Sequence, residues 1–202
     1  MNYDNTALIL IGFQNDYFAE NGILHAAIEE PSQIKVVLEN TLTLIKALEK
    51  TPTLMISTPI MFTPTYEELD DPVGILKMIK EVGAFNSEKP GSQTIPELSE
   101  LGGRITEVAG RRGLNAFTKT DLNKILESRQ IKYVIIAGIL TSVCVDSTGR
   151  AAHDLGYHVS IIKDCTTGRT TIEQDFFCEN VFPLYASTIS YQEFLEDINS
   201  GL

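Results

Sequence analysis

Tyr133-Val134-Ile135-Ile136-Ala137-Gly138-Ile139-Leu140-Thr141-Ser142-Val143-Cys144-Val145 decides the fold. Its first half has the length and β-branching of a strand buried on both faces, as in a parallel sheet. The apolar spacing from Val143 to Leu155 reads as the helix that follows. A strand running into a helix is the repeating unit of an α/β fold, and the turn between them is where such folds hold reactive groups. Cys144 falls at that turn. A thiol at the first turn of a helix faces unpaired N–H groups and the positive end of the helix dipole, which favour its thiolate. Taken alone, a single cysteine is more often a small buried hydrophobe, so the rest of the chain must decide.

Outward from this stretch, apolar runs of strand length recur at 7–11, 53–57, 105–108, 133–138, 158–162 and 184–189. Helical patterns separate them. Ile34, Val37, Leu38, Leu44, Ile45 and Leu48, with Thr41, form one stripe, and a helix over 122–126 opens with Thr120 or Asp121 as its cap. This alternation predicts an α/β fold: a doubly wound, mostly parallel six-stranded sheet with helices on both faces. Residues 58–96 carry many of the prolines and glycines and have weak periodicity, so they read as a long excursion with short helices over a site.

The chain has 202 residues, 43% of them hydrophobic, enough for one domain spanning 1–202 with a substantial core. Its net charge of −11 argues against nucleic acid or an anionic membrane as partner and suits solubility. Cys144, Cys165 and Cys178 have no paired spacing, which excludes a disulfide framework and fits a reducing cytoplasm. Met1-Asn2-Tyr3-Asp4-Asn5 is polar and acidic where a signal peptide would be basic and then apolar, so an unexported, cytoplasmic protein is expected. Neither the Gly-rich dinucleotide fingerprint nor the phosphate loop occurs, and no cofactor is expected. His25, His153 and His158 make no ligand spacing and 58–72 contains no histidine, so no metal is expected. Glu67, Glu68, Asp70 and Asp71 read as solvated surface.

Three segments carry chemistry: Ile11-Gly12-Phe13-Gln14-Asn15-Asp16-Tyr17-Phe18 at the end of the first strand, Gly110-Arg111-Arg112-Gly113-Leu114-Asn115-Ala116-Phe117 before a helix, and Thr141-Ser142-Val143-Cys144-Val145. In this order they resemble the isochorismatase-like cysteine hydrolases, which include nicotinamidases and N-carbamoyl amide hydrolases. The resemblance runs from about residue 6 to about residue 194. It implies strand order 3-2-1-4-5-6, a pocket at the carboxyl ends of the strands and a homo-oligomer acting on a small molecule. It implies a nucleophile at Cys144 and an oxyanion hole of the Leu140 and Cys144 backbone N–H groups, with a cis bond between Ile139 and Leu140. Around the substrate it implies Phe13, Gln14, Phe62, Asn115, Phe117 and Thr141.

The sequence departs from the family pattern at two catalytic positions. Gly12 stands where the family has its Asp, and Arg111, or Arg112 one residue on, stands where it has its Lys. Glycine takes no proton, and arginine keeps the cation without giving one up. Asp16 matches the pattern's second, structural acid, an anchor for the loop. Two functions follow. One is a cysteine hydrolase of a small amide, carbamoyl or ester compound with altered activity; the other is a degenerate member that keeps the pocket for binding or scaffolding. On the first, restoring Asp at 12 and Lys at 111 is expected to raise amide hydrolysis by ~10²-fold.

Overall fold

The computed structural model describes residues 1–200. Strands β1 (Thr6–Ile11), β2 (Leu54–Thr58), β3 (Ile105–Glu107), β4 (Tyr133–Ile139), β5 (His158–Thr167) and β6 (Ser187–Ile189) pair in parallel throughout. Their order is 3-2-1-4-5-6, as the resemblance implies. The helices are α1 (Asn15–Phe18), α2 (Ser32–Leu48), α3 (Gly74–Val82), α4 (Pro96–Ser99), α5 (Leu122–Ser128), α6 (Asp146–Asp154), α7 (Thr171–Phe176) and α8 (Tyr191–Ser200).

Side chains alternate across a strand, so β1 feeds two cores. Ala7, Ile9 and Ile11 meet Leu122 and Leu126 of α5 and Ala152 of α6 on one face. Leu8 and Leu10 meet Val37, Leu44, Ile45 and Leu48 of α2 and Phe194 and Ile198 of α8 on the other. The stripe on α2 is buried where its spacing puts it, with Leu38 half-buried at its edge.

Three local readings change, and at α5 one of two alternatives is selected. The helix expected from Val143 begins later: residues Thr141–Val145 form a wider π-helical turn and α6 starts at Asp146, because the Leu140 carbonyl accepts from both Val143 and Val145 N–H. Strand β5 runs on to Thr167, since a register shift lets Gly138 and Ile139 pair with Thr166 and Thr167. Strand β6 opens only at Ser187, after a 3₁₀ turn at Phe182–Leu184 that contains Pro183. At α5 the cap position is Asp121, which makes no side-chain cap bond and pairs with Lys124, while the Thr120 hydroxyl accepts from Leu122 N–H at 3.3 Å.

The excursion after β2 lies over the carboxyl ends of the central strands. Tyr17, Ile60, Phe62, Ile79 and Phe85 pack there with Ile139 and Leu140 as a third apolar cluster. Directly beneath, β1 and β4 touch: a Cβ at Gly138, whose φ is +133°, would stand 1.9 Å from the Ile11 carbonyl oxygen. Only glycine lets the two strand ends meet so closely. This is where the winding of the sheet reverses, the place where open α/β sheets form crevices.

Candidate active site

A small cavity opens at that crevice, and Gly12, Arg111 and Cys144 line it together. Each arrives from a different element. Gly12 follows β1, Cys144 sits on the π-helical turn after β4, and Arg111 lies in a bridge beside Ile60, just past β2. The remaining walls include Tyr17, Phe85, Leu114, and Ile75 and Ile79 of α3. The space open to the centre of a water is about 10 Å³, room for a single water. A larger compound therefore enters only if a wall moves, and α3 is the wall bounded by glycines with positive φ, Gly74 at +57° and Gly83 at +73°.

The cation is held rigidly. Arg111 is fully buried, and its guanidinium donates to the carbonyls of Thr58 (3.1 Å), Gly113 (3.1 Å) and Leu114 (2.7 Å). Among the described residues no carboxylate lies within ion-pair distance of it. Charge-assisted bonds to peptide oxygens offset part of the cost of burying the charge but leave it without an anion. Arg112, the one-residue alternative, points away from the cavity and pairs with Glu68 at 3.0 Å.

That pairing corrects the reading of the acidic run. Glu67, Asp70 and Asp71 are exposed, but Glu68 is half-buried, accepting from Thr63 N–H, Thr63 hydroxyl and Arg112. Burial alone would lift its carboxyl, but the hydrogen bonds from backbone, Thr63 and Arg112 outweigh this and hold it below the usual range.

Gly12 has φ +71°, and a Cβ there would meet the Ile139 carbonyl oxygen at 2.7 Å. The expectation that Asp at 12 simply restores the family site is therefore corrected: this backbone has no room for a side chain. Asp16 is buried, and its carboxylate accepts the Phe85 N–H, so it anchors the loop rather than entering the cavity.

The peptide bond between Ile139 and Leu140 is cis. Among the described residues the Leu140 N–H has no acceptor. The turn that carries Cys144 is braced from α7, where Gln174 accepts from the Thr141 hydroxyl and Glu173 from the Ser142 hydroxyl.

None of the six residues expected around the substrate lines the cavity. Phe13 packs into the α2 core and stacks on Phe18, since its side chain falls on the opposite face from Gly12. Gln14 is consumed by backbone bonds to Ile60 and Ser92. Phe62 packs at a tilt against Tyr66 in the upper cluster, Asn115 accepts from the Phe117 and Thr118 N–H groups, and Phe117 stacks on Tyr157. Thr141 spends its hydroxyl on α7. The walls that take their place, Tyr17, Ile75, Ile79 and Phe85, were not singled out. Only Ile75 and Ile79, four apart on a helix, and Tyr17, directly after the motif's Asp16, gave any signal in the sequence.

The histidines do not converge: His25 bonds the Tyr17 carbonyl, His158 stacks on Tyr133 and His153 lies by Tyr185. The other two thiols lie outside the cavity. Burial pushes Cys165 up to about 12 and Cys178 up to about 11.

A doubly wound parallel sheet with a cysteine turn over its central crevice is the frame of one hydrolase class, and comparison with known proteins agrees. The Isochorismatase domain model matches residues 6–193. The chain belongs to this isochorismatase-domain family. It is 27% identical over 175 residues to the ureidoacrylate amidohydrolase RutB of Cronobacter sakazakii, covering 81% of this chain and 75% of that one. A cysteine hydrolase from Pseudomonas syringae shares the fold at TM-score 0.87 and 16% identity, with 100% of this chain and 96% of that chain covered. The nicotinamidase PncA of Bacillus subtilis shares it at TM-score 0.74 and 19% identity, with 94% and 100% covered.

Proposed function

We propose that this chain is a cysteine hydrolase of a small amide, carbamoyl or ester compound, with Cys144 as nucleophile. The observation that carries the reading is the meeting of Cys144 and a buried, fixed cation in one closed cavity at the reversal of the sheet. The Cys144 sulfur adds to the carbonyl carbon, and the oxyanion lies against the Leu140 and Cys144 N–H groups. The bond to nitrogen or oxygen then breaks, leaving an acyl group on sulfur, and water releases it as the acid. Kinship with an amidohydrolase supports a C–N bond as the one cleaved. The walls restrict the acyl part to a small, largely apolar group.

The second reading, a binding or scaffolding member, is favoured by one fact: no carboxylate stands at position 12 to move a proton. Incubation with 4-nitrophenyl acetate separates the two. An acetyl group on Cys144 by mass spectrometry, followed by turnover that Cys144→Ala abolishes, is expected of the hydrolase. Absence of any acetyl-Cys144, with no ammonia or acid released from a panel of small amides and carbamates, would leave the binding reading.

We further propose a cytoplasmic homo-oligomer. No described helix is long and apolar enough to cross a membrane. Ile172, Phe176 and Leu184 are large apolar side chains exposed on and after α7, a surface suited to a second copy. A monomeric mass by light scattering at micromolar concentration would count against the oligomer.

A further inference from the structure

Tyr17 has no place in the scheme above, yet it is the one wall of the cavity besides Arg111 and Cys144 with a polar tip. Its side chain is 4% exposed. Buried tyrosine hydroxyls ordinarily find a partner, and here Tyr66 donates to the Ala84 carbonyl and Tyr157 to Asn123. The Tyr17 hydroxyl makes no hydrogen bond among the described residues, and its oxygen is not one of the fully enclosed unpaired ones, so it keeps some open space in front of it. Its ring also stands next to the place where the missing carboxylate would hang, since a Cβ built on Gly12 lies 3.7 Å from Tyr17 Cδ2.

We propose that Tyr17 is the general acid of this cavity, giving its phenolic proton to the leaving atom in place of the carboxyl group that position 12 lacks. The proposal rests on the cysteine-hydrolase reading above. As the tetrahedral adduct on Cys144 collapses, the carbon–nitrogen or carbon–oxygen bond breaks and its electron pair goes to the leaving atom. That atom takes the proton from Tyr17 Oη. The phenolate left behind is stabilised by the Arg111 charge that shares the cavity wall. Water then adds to the thioester carbon and passes a proton to the phenolate. The carbon–sulfur bond breaks, the thiolate is recovered and the acid departs.

The electrostatics keep the group protonated, which a donor needs, although a raised phenol gives its proton only to a strongly basic leaving atom. Burial first, and then the charges at Cys144 and Asp16, hold the phenol above its ordinary value, with Arg111 opposing them. The group thus arrives protonated at neutral pH, and the nearby cation stabilises the state in which it has just acted.

The test compares acetyl transfer to Cys144 from 4-nitrophenyl acetate, whose leaving group needs no proton, with transfer from ethyl acetate, whose strongly basic ethoxide does. Tyr17→Phe keeps the ring and its packing on Phe85, whose centroid is 5.6 Å away. The variant is expected to match the wild type on the first ester and to fall by ~10²-fold on the second. Equal slowing on both esters, or no slowing on either, overturns the role of Tyr17 and leaves the nucleophile intact. No acetylation of the wild type by either ester overturns the cysteine-hydrolase reading itself. A readout without a variant exists as well: along a series of acetate esters, the wild-type rate should decline shallowly as the leaving group becomes more basic. A steep decline in the wild type overturns the proposal.

Discussion

Gly12 and Ile139 approach so closely that the backbone, more than the lost side chain, defines position 12. A residue with a Cβ must either hold the positive φ or push the Ile139 carbonyl away, at a cost of about 1–3 kcal/mol. Gly12→Asp is therefore expected to lower the urea midpoint and not to restore activity. Adding Arg111→Lys makes matters worse, because an ammonium group on a flexible stem cannot reproduce a planar fork bonded to Thr58, Gly113 and Leu114 at once. A double variant as stable as the wild type and faster on amides would show that the site relaxes. Some of this was legible in the sequence. The resemblance to the family picked out Gly12, Arg111 and Cys144 as one group, through the motif segments in which they stand. It did not reveal Tyr17, which beside Asp16 reads as one more aromatic in an apolar loop, and whose free hydroxyl is visible only in three dimensions.

At the scale of elements, the sheet was the most legible part, since β-branched runs buried on both faces carry their own signature, and α2 showed its stripe. What was not legible depended on contacts far apart in sequence. The extension of β5 follows from a register shift against β4, and the walls Ile75 and Ile79 come from an excursion with little periodicity. That excursion yields a prediction. Ile79 is 3% exposed and faces the cavity, so Ile79→Ala is expected to cost about 2–5 kcal/mol of stability. The same change enlarges the space beside Cys144. Acylation by 4-nitrophenyl butyrate should therefore gain on 4-nitrophenyl acetate, and an unchanged ratio of the two rates would mean that α3 does not limit the acyl group. On the other face of the sheet, Leu44→Ala should destabilise by a similar amount and leave that ratio alone.

For the molecule as a whole, stability should fall on the alkaline side. The folded state holds Cys165 protonated up to about 12, well above its value of 9.0 when unhindered. Below the unfolded value both states bind the proton and the thiol's contribution is intact. As pH rises from about 9 toward 12 the unfolded chain ionises first, and that contribution is lost. Melting temperatures across this window should decline, and Cys165→Ala should flatten the decline even though it lowers the starting value. A slope identical in the variant would assign the loss to other groups. The buried guanidinium of Arg111 bears on the fate of whatever the cavity makes. Among the described residues it has no carboxylate of its own. Cleavage of an amide or ester turns a neutral guest into an anion beside that charge, in a space with almost no room for water. The acid should thus be held more tightly than its parent, progress curves should bend early, and added carboxylate should inhibit competitively: the price of keeping the cation without its counter-ion is slow product release.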